Sequence, residues 1–113
     1  MSTLNFNKYR PPIMVVEMPD EETPVLHITP PTVDLQEELR ATAGEFNALL
    51  AGGTDEKRAA FYDFAARLMS NNRDWIKITP EDLRKKYHLD VEDLTVFFHD
   101  YVDFVKGIEN AKN

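Results

Sequence analysis

The stretch Asp90-Val91-Glu92-Asp93-Leu94-Thr95-Val96-Phe97-Phe98-His99-Asp100-Tyr101-Val102-Asp103-Phe104-Val105 decides the fold. Val91, Leu94, Phe98, Tyr101, Val105 and Ile108 recur at intervals of three and four residues, which draws one apolar stripe down a helix. Phe97 and Phe104 widen that stripe, so four aromatics fall within the eight residues 97–104. Asp90 occupies the cap position, with Asp93 three residues on and Glu92 between them, a helix start favoured by the helix dipole. A face this wide exceeds what a small core ordinarily takes in. Most of these aromatics are expected in the core, and the outer row reads as helix-in-groove anchors; Leu94, Phe97, Phe98, Tyr101, Phe104 and Ile108 are the candidate partner-binding residues.

Working back along the chain, Thr79-Pro80-Glu81-Asp82 opens a short helix that runs to about Tyr87. Threonine caps it, proline takes the first helical position and acids follow. Trp75, Ile76 and Ile78 make an apolar connector expected to pack on the core. Before it, Phe61, Phe64, Ala65 and Leu68 mark a helix that starts at Thr54 or Asp55 and stops at Asn71-Asn72. An earlier helix is capped by Thr32, carries Leu35, Leu39, Ala43, Phe46 and Leu50 on one stripe, and ends at Gly52-Gly53.

The front of the chain differs. Six of the seven prolines lie between Pro11 and Pro31, and that shift in composition marks an extended unit. Ile13–Met18 and Val25–Thr29 are rich in β-branched residues and are joined by the polar, proline-bracketed Pro19–Pro24. They read as a β-hairpin. A lone hairpin is marginal in water, so one face must pack on the helices or on a partner. The expected architecture is mainly α: one domain over residues 1–113, with a hairpin within 1–31 and about four helices in a small bundle over 32–113.

Composition narrows the function. With 113 residues there is room for one small domain. The absence of cysteine removes disulfides, thiolate metal sites and cysteine nucleophiles. The net charge of −7 opposes non-specific binding to nucleic acid or to an anionic membrane. No apolar run approaches the roughly 20 residues of a membrane span, and the first ten residues lack the apolar core of a signal peptide. The expected location is the cytoplasm.

Chemistry finds little support. Ser2 and Ser70 are the only serines, and neither lies in a glycine-rich elbow. His27, His88 and His99 are far apart in sequence; His99 and Asp103 share a helix face at i and i+4, which reads as a solvated polar face before it reads as a metal site. The acids of 20–22 and of 92–93 have local explanations in turn solubility and helix capping. Arg84-Lys85-Lys86 is the one basic run, placed at the end of a short helix where cations favour the dipole. No cofactor, metal or catalytic set is expected, and the reading is an interaction protein.

Two stretches carry a resemblance: Leu68-Met69-Ser70-Asn71-Asn72 followed by Ile78-Thr79-Pro80-Glu81-Asp82-Leu83, and Leu89-Asp90-Val91-Glu92-Asp93-Leu94 running into Phe97-Phe98-His99-Asp100-Tyr101-Val102-Asp103-Phe104-Val105. With the proline-flanked hairpin before them, they resemble the tail assembly chaperones of long-tailed, siphovirus-type bacteriophages and prophages. The resemblance implies a protein that coats the phage tape measure protein, helps recruit tail tube subunits and leaves before the tail is complete. It implies the cytoplasm of a bacterial host, absence from the mature virion, a possible homo-oligomer, and neither nucleic-acid nor membrane partners. Many members also yield a longer product by a −1 ribosomal frameshift; Ala111-Lys112-Asn113 can be encoded as GCA-AAA-AAC, which contains a slippery heptamer. The rival readings are an acidic phage-encoded inhibitor or DNA mimic, for which six acids stand against Lys106 between Asp90 and Glu109, and a generic helical interaction adaptor.

Overall fold

The computed structural model describes residues 12–19, 25–42 and 53–111, with side chains described as far as Ile108 in the last helix. Strand β1 (Met14–Glu17) pairs antiparallel with β2 (Val25–Ile28), matching Met14 to Ile28 and Val16 to Leu26. Helices α1 (Val33–Thr42) and α2 (Asp55–Ser70) follow, then a π-helical turn (Asp82–Lys86) and the long α3 (Val91–Ala111). The chain is thus mainly helical with an N-terminal hairpin, as its patterning predicts. The expected turn at 20–24 and the second half of the first helix, with Ala43, Phe46, Leu50 and Gly52, lie outside the described residues.

The helix starts are built as their sequences require. Thr32 and Thr54 accept from the backbone N–H of Leu35 and Lys57 through their hydroxyls, at 3.3 and 3.2 Å. Thr79 and Asp82 form a reciprocal box: the Thr79 hydroxyl accepts from Asp82 N at 3.1 Å, and Thr79 N donates to the Asp82 carboxylate at 3.1 Å. Asp90 and Asp93 repeat the device at the start of α3, at 2.8 and 3.0 Å. Each box satisfies two backbone donors that a helix start leaves without partners.

The expected short helix after Pro80 is wider than an α-helix. Tyr87 N bonds to Asp82 O at 2.9 Å, an i to i+5 closure, and Leu89 N reaches back to Leu83 O at 2.8 Å. His88 makes the reversal at φ 54°. This turn buries Leu83 and Tyr87 while delivering Asp90 to the start of α3.

The core lies between α2, α3 and the inner face of the hairpin. Phe98 is fully buried and stacks on Phe61 and Phe64, with ring centroids 4.6 and 5.6 Å apart. Leu26 and Ile28 of β2 are also fully buried, so the hairpin is part of this core and closes it from one side. The other edge of β2 is covered too. Ile28 bridges to Asn72, Thr29 N donates to Asn71 O at 3.0 Å, and Arg73 N donates to His27 O at 2.9 Å.

Candidate protein-docking site

The six aromatic-helix candidates separate into two groups. Leu94, Phe98 and Tyr101 have no exposed surface and Phe97 retains 8%. Leu94, Phe98 and Tyr101 are core residues, the alternative reading of the stripe, and are not partner-binding; Phe97 is nearly buried and lines a groove between β1 and α3. Strand β1 stands beside Phe97, the two lining one groove, and the core takes in most of the second aromatic row. Phe104 and Ile108 are half-buried, and Phe104 packs edge-on against Tyr101 at 6.0 Å. The Tyr101 hydroxyl has no hydrogen-bond partner among the described residues. Its burial raises the phenol pKa well above the ordinary value.

Among the described residues, the most exposed large apolar side chain belongs to a residue expected in the core. Trp75 is 93% exposed, and its backbone is held at φ 61°. This left-handed conformation costs an L-residue about 1–2 kcal/mol, so the surrounding structure must impose it.

Asn72 imposes it. Its buried amide makes four hydrogen bonds around the loop. Nδ2 donates to Met69 O at 2.9 Å and to Ile76 O at 2.7 Å, and Oδ1 accepts from Asp74 N at 3.1 Å and from Ile76 N at 2.9 Å. The amide thereby replaces backbone partners for a loop that belongs to neither helix nor strand. Asn71 ties the same loop to the hairpin by donating to Pro30 O at 2.9 Å, and the His27 ring meets the Asp74 carboxylate at 2.8 Å. On the far side, Ile78 N donates to the Ser70 hydroxyl at 2.8 Å. With both ends pinned, the chain from 72 to 76 has one course, and it carries the Trp75 indole outward.

Beside the indole runs a groove of about 740 Å³ whose apolar lining includes Leu35, Ala66, Ile78 and Pro80. Lys77 and Arg67 stand on its margin. Arg67 is fixed by a bidentate pair with Glu38 and a 3.0 Å contact to Asp63. The Glu38 hydrogen bond holds the guanidinium pKa above its usual value. An exposed tryptophan on a pinned loop beside an apolar groove, with charge at the rim, is the arrangement of a protein-docking surface.

The other candidates fall elsewhere. The Ser70 hydroxyl is engaged with the backbone of Ala66 and Ile78. His99 and Asp103 are exposed on α3, and among the described residues no group of three or more His, Asp or Glu converges as a cation site. Each member of the basic run meets an intrachain partner or ring: Arg84 lies 4.4 Å from the Tyr62 ring centroid, Lys85 pairs with Glu81 at 3.0 Å, and Lys86 lies 5.5 Å from Tyr87. Sequence reasoning missed Trp75 because it counted an indole as core by default. The signal available was Asn71-Asn72-Arg73-Asp74 directly before it, four polar residues that build their own turn. Compared with family models, with curated proteins and with solved structures, the chain finds no match in any of the three.

Proposed function

We propose that this chain is a tail assembly chaperone of a long-tailed bacteriophage or prophage, working in the cytoplasm of the bacterial host. In this reading it binds the phage tape measure protein and helps bring tail tube subunits to it, without catalysis. The observation that carries the reading is Trp75, held 93% exposed by the hydrogen bonds of Asn72. A tape measure chain presents repeated apolar helical faces, and an exposed indole on a pinned loop beside an apolar groove is suited to hold one of them. The net charge of −7 keeps the loaded complex soluble. The stretches that carry the family resemblance include Ser70, Asn71 and Asn72, which pin the tryptophan loop.

The test is co-expression with the tape measure protein of the phage or prophage that carries the gene, followed by affinity capture and a titration of the purified pair. The wild-type chain is expected to form the complex. Trp75→Ala is expected to weaken it by about tenfold or more, as for an interface anchor, while melting as the wild type does. Failure of the wild-type pair to associate, or equal affinity of Trp75→Ala, overturns the proposal.

A further inference from the structure

A second surface lies on the opposite edge of the hairpin. The described sheet has two strands. The outer edge of β2 is covered by residues 71–73, whereas β1 has no partner on its outer edge among the described residues. Its backbone N–H and C=O groups there form a template for another strand. Beside that edge, β1 and α3 enclose a groove of about 300 Å³. Its apolar lining includes Met14, Met18, Met69 and Phe97, and half-buried or buried methionines adapt to varied side chains. Val15 and Val96 border it and are 60% and 62% exposed. Among the described residues, the charged ones lining it are Glu17, Asp93 and Asp100, all three acidic and all exposed, with no lysine, arginine or histidine beside them.

We infer that this groove receives an extended segment of a partner protein, apolar along one face and flanked by lysine or arginine. The open edge supplies main-chain hydrogen bonds, the methionine-lined floor takes alternate side chains, and the three carboxylates select cationic flanks. Strand addition of this kind reads alternation with period two, so a helix does not satisfy it. The inference goes beyond the tape-measure reading and does not rely on Trp75. The two surfaces lie on opposite edges of the hairpin, so one chain can hold two partners at once.

The test uses the full chain and a defined probe: a capped eight-residue peptide alternating valine with threonine, with lysine at both ends. Binding is read by fluorescence anisotropy and by amide chemical shifts of the labelled protein. The expected result is saturable binding with the largest shifts on β1 and on the 93–100 face of α3. Methylation of alternate peptide nitrogens on the edge-facing side is expected to abolish it. Asp100→Lys is expected to weaken it by about five- to tenfold, and Trp75→Ala to leave it unchanged. Because Asp100 is exposed, its variant retains the fold; Glu17→Lys gives the same reading from the strand side. Binding that survives backbone methylation, largest shifts away from β1 and the 93–100 face, or no binding at all overturns the proposal. So do two findings about occupants: shifts at the groove that grow with protein concentration would assign it to a second copy, and shifts there on deleting residues 1–10 would assign it to the chain's own first segment.

Discussion

Replacing Asn72 by alanine isolates the device that presents Trp75. The amide is 9% exposed and makes four hydrogen bonds, two as donor and two as acceptor. At about 1 kcal/mol net for each bond, their sum is roughly 4 kcal/mol. Two corrections reduce it. Arg73, Asp74 and Trp75 are exposed, so water reaches part of the freed backbone, and release of the left-handed Trp75 recovers about 1 kcal/mol. The expected cost is about 2–3 kcal/mol, enough to lower the midpoint of denaturant unfolding without unfolding a domain of ordinary stability. The assay is guanidinium unfolding followed by circular dichroism, with the indole as a local probe, since Trp75 is the only tryptophan. In the wild type its emission should already resemble that of a solvated indole. In Asn72→Ala its anisotropy should fall because the loop is free. Asn72→Asp should cost at least as much, because a carboxylate keeps the two acceptor contacts but sets an oxygen against the carbonyls of Met69 and Ile76. The partner affinity that depends on Trp75 should fall in both variants. A stability change below about 0.5 kcal/mol, with unchanged indole anisotropy, would refute the reasoning.

Other perturbations test the rest of the fold. Phe98→Ala removes a ring stacked on both Phe61 and Phe64 and should cost about 3–5 kcal/mol in chemical unfolding; a cost under 1 kcal/mol would place Phe98 outside the core. Tyr101→Phe deletes a buried hydroxyl without a partner among the described residues, so it should stabilise by about 1–2 kcal/mol, and a lowered melting temperature would show that the hydroxyl is bonded. The same residue sets an alkaline limit. Burial raises the Tyr101 pKa above its ordinary 10.0, so the folded state holds the phenol proton longer than the unfolded state does. Stability is therefore intact below about pH 10 and is lost as pH rises through the raised folded value; Tyr101→Phe should flatten that loss, leaving the smaller contribution of Tyr62, whose pKa burial also raises. Deleting residues 1–31 removes Leu26 and Ile28, both fully buried, and should abolish cooperative melting; retention of a sharp transition would make the hairpin a separable arm.

The elements legible in the sequence are those fixed by local chemistry. Thr54, Thr79 and Asp90 stop or start helices because a side-chain oxygen reaches a backbone N–H three residues on, and that geometry travels with the tetrapeptide. The β-branched runs around 14–17 and 25–28 form strands for a comparably local reason. Phe97 and Trp75 were misread for the opposite reason. A helical wheel gives the direction of Phe97 but not what stands there, and the strand that lines the same groove is some 80 residues earlier in the chain. For Trp75 the apolar side chain was weighed and the backbone was not, although the conformation of the loop decides where the indole goes. The π-helical turn is a third case. Its extra residue per turn follows from the need to bury Leu83 and Tyr87 together while ending on Asp90, a tertiary demand that no propensity encodes.

The hairpin links both proposed surfaces, and this has a mechanical consequence. On one edge β2 holds the loop of Trp75 through Thr29, His27 and Asn71; on the other, β1 borders the acidic groove. The inward residues Leu26 and Ile28 fix the register between them, since a slip of one residue would turn both to solvent. The two edges therefore cannot shift independently without disturbing the core. A partner strand added to β1 would stiffen the sheet and, through the same backbone bonds, the platform beneath Trp75. Where this coupling operates, occupancy of the groove strengthens the affinity of the tryptophan site, and by linkage the reverse holds by the same factor. Measured reciprocity between the two sites would identify the hairpin as the connecting element, whereas strictly additive binding would mean that the core already holds it as rigidly as a partner could.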